Sequence, residues 1–241
     1  MRQSNSYIVL YAAAITVICG GLLAFASQGL KPFQDANIEL ERKSNILATV
    51  MELKEGDDVN KIYAERIKEL VIDAEGNLKD MKATDVDVAK EYKKAPSARL
   101  LPLYEFRNPE NPDKIDFVVM PMYGFGLWND IWGFVALQSD LSTIQGVKFQ
   151  HKGETPGLGA RIESEEIQAR YKGKTIFEAQ ELVSVRMMKG EGNDYSDDTH
   201  KVDGMSGATL TANGVNNMLT DYLNCYQKYL VKNRQNIASS L

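Results

Sequence analysis

From Tyr7 to Ala26 the chain reads YIVLYAAAITVICGGLLAFA, twenty residues without a charge. At about 1.5 Å of rise per residue, a helix of that length spans the roughly 30 Å hydrocarbon core of a bilayer. Every backbone amide is then satisfied inside the helix, as lipid demands. Gly20 and Gly21 are tolerated in such a segment and leave room for another helix to approach. A cleaved secretory signal is the rival reading: Arg2 gives a positive start, and Ala24-Phe25-Ala26 fits the A-x-A cleavage pattern. The apolar run is longer than the roughly 7–15 residues of a signal core, however. A lipoprotein signal is excluded because Ile18, rather than a small residue, precedes Cys19. We therefore expect residues 1–30 to be a retained transmembrane anchor. Arg2 before the run and Lys31 after it nearly balance, so basic bias does not orient it. An anchor that resembles an export signal carries the following chain across, so the expected arrangement is a single pass of a bacterial inner membrane with a periplasmic soluble domain.

The remaining chain has ordinary globular composition. Of 241 residues, 44% are hydrophobic and 25% charged, enough for one core and a small appendage. The net charge of -5 comes without a dense Lys/Arg stripe, so no nucleic-acid partner is expected. Cys19 and Cys225 form no CxxC pair, and His151 and His200 stand alone, without zinc or haem spacing. His151 reads as a loop residue. Redox chemistry in this chain would have to come from an organic cofactor or a partner.

After a break at Pro32, residues 31–95 read as a membrane-proximal helical and hairpin segment. Ile38, Leu47, Val50, Met51 and Leu53 suggest one partly amphipathic helix, and Val59, Ile62, Tyr63, Ile67 and Leu70 a second. LVID-AEGN-LKD suggests a hairpin turning at Glu75-Gly76-Asn77. Pro96, Pro102, Pro109 and Pro112 read as a linker or irregular edge. Within residues 96–241 the runs DFVVMPMYGFGLW, IWGFVALQ and IQGVKFQ suggest consecutive strands, and Leu182–Met187 another. Glu165 to Lys172 suggests a short helix. Val215, Met218, Leu219, Tyr222, Leu223, Tyr226 and Leu230 form the stripe of a long C-terminal helix. The expected fold class is α+β, with mostly antiparallel strands and a C-terminal helix behind one transmembrane helix.

The stretch Val202-Asp203-Gly204-Met205-Ser206-Gly207-Ala208-Thr209-Leu210-Thr211 lies directly before that helix. Gly204 and Gly207 permit close backbone approach, and a helix start presents unpaired N–H groups and partial positive charge. Ser206, Thr209 and Thr211 add hydroxyls. Two readings stand on these residues alone: a phosphate-binding turn, or ordinary Ser/Thr capping of a helix.

Ser206-Gly207-Ala208-Thr209 resembles the S-G-A-T signature of FMN-binding domains. These domains occur in the C subunit of sodium-translocating NADH:quinone reductase and in the G subunit of the related Rnf complex. In that family the final threonine carries FMN through a phosphoester, installed by a flavin transferase that uses FAD; by position this is Thr209. His151 to Arg161 contains Glu154-Thr155-Pro156-Gly157-Leu158-Gly159, which resembles the family's ring-facing E-T-P-G-L-G loop. Pro156 would stiffen it, Gly157 and Gly159 would let its backbone approach a flat ring, Leu158 would cover a ring face, and Glu154 or Thr155 would meet the ring edge. Tyr123-Gly124-Phe125-Gly126-Leu127-Trp128 is similar to the family's G-x-G-L-W stretch, with Trp128 as a candidate neighbour of the flavin. Lys189, before Gly190, is a candidate for the flavin's electron-rich edge.

The resemblance implies an electron carrier in which the isoalloxazine ring does the redox chemistry and the protein sets position, access and potential. It implies no catalytic acid, base or metal in this chain. The implied partners are the other subunits of a membrane redox complex, the flavin transferase and membrane lipid, on a route from NADH to quinone coupled to sodium export by other subunits. The G-M-S-G-A-T-L-T form and the long charged segment after the anchor favour the quinone-reductase C subunit over the Rnf G subunit. A membrane-anchored flavin sensor is the rival from another class, and a carrier with no further signalling domain fits the sequence better.

Overall fold

A computed structural model describes residues 4–112 and 114–239. Contacts divide the chain between Lys43 and Ser44 into two compact units. The first consists of most of helix α1 (Asn5–Ala48), whose apolar run has a mean hydropathy of 2.4 over eighteen residues and is wholly exposed, long and apolar enough to cross a membrane. Pro32 lies inside α1, so the break expected there does not occur. A proline removes one backbone hydrogen bond, and the intact turns on either side can carry a long helix past it.

The second unit is organised by a sheet. After helix α2 (Val59–Arg66) come strands β1 (Ile67–Asp73) and β2 (Leu78–Lys79), then the short helix α3 (Val88–Tyr92) and strand β3 (Leu100–Arg107). Strands β4 (Ile115–Phe125), β5 (Asp130–Gln138) and β6 (Ile144–His151) follow. The sheet order is β2-β1-β3-β4-β5-β6, every pair antiparallel. Beyond it lie helix α4 (Glu165–Ala169), short strands β7 (Phe177–Glu178), β8 (Glu181–Leu182), β9 (Arg186–Met187) and β10 (Lys201–Val202), and the long helix α5 (Thr209–Ser239). β9 and β10 pair in parallel.

Successive strand side chains point to opposite faces. Val118, Met120 and Met122 of β4 enter the core that also holds Val215, Leu219, Tyr222 and Tyr226 of α5. Val119 of β4 enters a second core with Ile46 and Leu47 at the end of α1 and Tyr63 of α2. A sheet covered on both faces explains why β4 and β5 read as nearly unbroken apolar runs instead of alternating ones.

Four local expectations change. The segment expected over 31–95 is not confined to helices and a hairpin: its β1 is hydrogen-bonded to β3 along its whole length. The segment read as a proline-rich linker contains β3, a buried strand. Pro102 sits opposite Val71 in β1, while pairing with β4 begins only at Tyr104. Its missing N–H therefore costs no β3–β4 bond, and its carbonyl accepts from the Tyr226 hydroxyl at 2.6 Å. The second helical stripe stops at Arg66, so Ile67 and Leu70 are strand residues. Leu182–Met187 is two fragments, interrupted at buried Ser184, whose φ of 65° lies in the left-handed region. The hairpin is present, with Gly76 at a φ of 79° in its turn.

Candidate functional site

Antiparallel order brings the end of β4, the start of β5 and the end of β6 to one end of the sheet. Three connections meet there: the β4–β5 loop around Gly126–Asn129, the loop after β6, and the start of α5. Their side chains line a crevice of about 210 Å³: Leu127, Glu154, Thr155, Leu158, Gly159, Gly207, Ala208, Thr209, Leu210 and Thr211.

The floor is the beginning of a helix. Thr209 is the first residue of α5, and the Ala212 N–H donates to the Ala208 carbonyl at 3.0 Å. The amides before Ala212 in this first turn have no acceptor within the helix. Ala208 occupies the cap position and has no side-chain oxygen to offer them. Gly207 precedes it at a φ of +71°, and a Cβ there would meet Leu158 Cδ2 at 2.9 Å. Ordinary Ser/Thr capping is thus not what this helix start does.

The three hydroxyls separate by environment. Thr211 is 1% exposed, and its hydroxyl donates to Glu154 Oε2 at 2.5 Å, so it is committed to the protein. Ser206 is exposed and outside the lining; its backbone N–H donates to Glu191 Oε2 at 3.0 Å. Thr209 is half-buried in the crevice. Among the described residues, neither the Thr209 nor the Ser206 hydroxyl forms an intramolecular hydrogen bond.

The motif loop is braced from outside. Arg161 grips Glu191 through Nη1 and Nη2 at 2.9 and 2.5 Å, and Arg170 reaches it at 3.2 Å. The Arg161 hydrogen bond, with the Ser206 amide and Arg170, holds the Glu191 carboxyl down at about 2. Arg170 also donates to the Asp203 and Gly204 carbonyls at 3.2 and 2.5 Å.

Of the other expected site residues, Glu154, Thr155, Leu158 and Gly159 line the crevice with Gly207 and Ala208. Gly157 shapes the loop at a φ of 75° but does not line it. Trp128 is 68% exposed and outside the lining, its Nε1 donating to Thr155 Oγ1 at 3.2 Å. Lys189 is exposed in the turn after β9, also outside. His151 ends β6 rather than lying in a loop, and its Nδ1 accepts from the Glu154 N–H at 3.3 Å. Leu127 and Leu210 line the crevice too, although motif reasoning passes over both. The signal that marks them is an apolar residue beside a glycine or hydroxyl motif, with no place in the periodic stripe of α5.

The surface around the crevice is apolar. Among the described residues of the second unit, the exposed large hydrophobic side chains are Leu78, Phe125, Leu127, Trp128, Leu158 and Leu210. All but Leu78 belong to the three converging segments. Patches of this kind mark ligand or partner sites.

An exposed apolar rim above an uncapped helix start suits a flavin phosphate cofactor, and the class is that of FMN-binding domains: that family matches residues 126–224. The C subunit of the Na(+)-translocating NADH-quinone reductase of Neisseria meningitidis serogroup A is 33% identical over 96% of this chain and 95% of its own. The corresponding Pseudomonas aeruginosa protein is 33% identical over 92% of each chain. Among solved structures, the C subunit from Parabacteroides distasonis superposes with a TM-score of 0.73 at 32% identity, covering 83% of this chain and 96% of that one. Shewanella oneidensis NqrC gives 0.71 at 27%, covering 81% and 97%. The chain belongs to the NqrC family, the C subunits of Na(+)-translocating NADH-quinone reductases.

Proposed function

We propose that this chain is an electron-transfer subunit of a Na(+)-translocating NADH:quinone reductase and that Thr209 holds its FMN through a phosphoester. One observation carries the assignment: of the three hydroxyls near the start of α5, only that of Thr209 both lies in the crevice and has no protein partner among the described residues. The free amides of the first turn and the positive helix end favour a phosphate there. Bound FMN would supply the redox chemistry, passing electrons from NADH towards quinone.

The protein's part is binding and positioning. At about 210 Å³ the crevice is smaller than the roughly 300–1,000 Å³ typical of engulfing ligand sites, so the cofactor is not swallowed. Leu127, Leu158 and Leu210 offer apolar contact to a flat ring, with Trp128 and Thr155 at the margin. Ser206, Gly207 and Ala208 shape the phosphate end, and Gly157 and Gly159 the loop. Thr211 and Glu154 act on each other, and Lys189 lies farther out. The partners in this reading are the other subunits of the complex, a flavin transferase that installs FMN, and membrane lipid around α1. The soluble unit then lies in the periplasm, with α1 as a single pass of the inner membrane. Whole-length likeness to the quinone-reductase C subunits favours this reading over an Rnf G subunit.

Co-production with a flavin transferase, followed by denaturing electrophoresis, tests the assignment. The parent chain should retain in-gel flavin fluorescence, and peptide mass spectrometry should find the FMN mass on the Thr209 peptide. Thr209→Ala should fold and lose that fluorescence, whereas Ser206→Ala and Thr211→Ala should keep it, at reduced yield. Fluorescent Thr209→Ala beside a dark neighbour variant contradicts the residue assignment and leaves the family intact.

A further inference from the structure

Glu154 is only 4% exposed, yet among the described residues it has no ion-pair partner. A buried carboxylate of that kind normally takes up a proton. Here the Thr211 hydroxyl donates to Oε2 at 2.5 Å and the Trp128 amide to Oε1 at 2.9 Å. The neighbouring backbone amides of Asn129 and Leu127 also favour the ionised form. An ionised carboxylate has about four acceptor sites and no donor, which matches this set. Burial pushes its pKa up, but the Thr211 hydroxyl and the three amides outweigh that and leave it below the usual range.

These donors come from different parts of the chain. Leu127, Trp128 and Asn129 form the β4–β5 loop; Thr211 is in the first turn of α5, two residues after Thr209; Glu154 follows β6. The space for the carboxylate is bounded by Gly159, where a Cβ would fall 2.6 Å from Glu154 Oε2 and 2.5 Å from Thr211 Oγ1. We propose that Glu154 is a positioning residue, a carboxylate clasp that fixes the Leu127 wall of the crevice against the start of α5. Its oxygens are consumed by the protein, so it does not serve as a contact to the cofactor's edge. In its functional consequence this rests on the flavin reading of the crevice; the clasp itself does not.

Glutamine weakens the clasp without emptying it: its oxygen can still accept from the loop amides, but the charge is lost, and its NH₂ meets Thr211 only if that hydroxyl turns to accept. The test compares Glu154→Gln, Thr211→Val and Thr211→Ser in the full chain. Amide hydrogen exchange is measured without flavin, and flavin absorption and fluorescence anisotropy after treatment with transferase. Glu154→Gln and Thr211→Val should speed exchange at Leu127–Asn129 on the order of tenfold or more, since hydrogen bonds to a charged group are lost. Exchange in the middle of β5 should stay as in the parent. Their flavin should become more mobile and its absorption bands shift, while Thr211→Ser, which keeps the hydroxyl, should match the parent in both readouts. Parent-like exchange at Leu127–Asn129 in both Glu154→Gln and Thr211→Val overturns the clasp. A loosened loop with an unchanged flavin signature overturns its link to the cofactor. If the parent itself takes up no flavin, the functional reading fails while the exchange data still judge the clasp. Should Glu154→Gln not fold, Thr211→Val, which exchanges only a hydroxyl for a methyl, carries the same comparison.

Discussion

At the residue scale, Leu158 and Trp128 are expected to behave differently. Leu158 lines the crevice, and its Cδ2 packs close to Gly207. Trp128 is 68% exposed at the margin. Leu158→Ala should leave FMN covalently attached but shift its absorption and its potential, because apolar cover is lost while the phosphate end is untouched. Trp128→Ala should move both less, since its backbone amide keeps its bond to Glu154 whatever the side chain. Spectroelectrochemical titration of the two holoproteins measures this, and equal or absent shifts would count against the crevice as the ring's neighbour. The motif stretches were legible because they resemble those of the FMN-binding family; their glycines and hydroxyls alone left the turn before α5 open between a phosphate site and helix capping. The division of labour among Ser206, Thr209 and Thr211 was not legible. It depends on Glu154, 57 residues before Thr211, reaching the same point in space.

At the element scale, α5 was readable because a single stripe meets a single core, whereas β3 was hidden by Pro102 and the prolines that flank the strand. Pro102 breaks a rule for strands only if its missing N–H is needed, and local sequence does not reveal which edge of the strand is paired there. Ser184 hid in the opposite sense, a left-handed residue inside an apolar run that otherwise reads as one strand. The loop between β9 and β10 is tied to the S-G-A-T turn by Glu191, and that tie has a pH signature. The Arg161 hydrogen bond and the Ser206 amide lower the Glu191 pKa from 4.5 to about 2. A depressed carboxylate contributes stability that is fully present above 4.5 and lost as pH falls through the folded value. The Ser206 amide should therefore lose protection from exchange between those limits, and Glu191→Gln should show weak protection already at neutral pH. A Ser206 amide protected equally at pH 7 in the parent and in Glu191→Gln would show that the brace does not hold the turn.

At the scale of the whole molecule, the exposed run of α1 and the buried core of the second unit make opposite demands on solvent. Tyr7, Leu10, Val17, Leu22, Leu23 and Phe25 are each more than half exposed, which water does not tolerate over a whole helix. The second unit satisfies itself: Ile46 and Leu47, at the end of α1, are 0% exposed within its core. A chain shortened to begin at residue 44 should therefore be soluble and folded. One beginning at residue 51 loses Ile46, Leu47 and Val50 from that core, each large apolar deletion costing about 2–5 kcal/mol, and should not be stable. For the full chain, burying the Tyr7–Ala26 run in lipid removes the conflict. Alkaline carbonate extraction should leave it in the membrane pellet at full length. Peripheral attachment would release it, and a soluble product beginning at Ser27 would identify the run as a cleaved signal. The shortened chain discriminates further. If the one starting at residue 44 folds and accepts FMN without a membrane, α1 serves to tether the carrier and not to build its site.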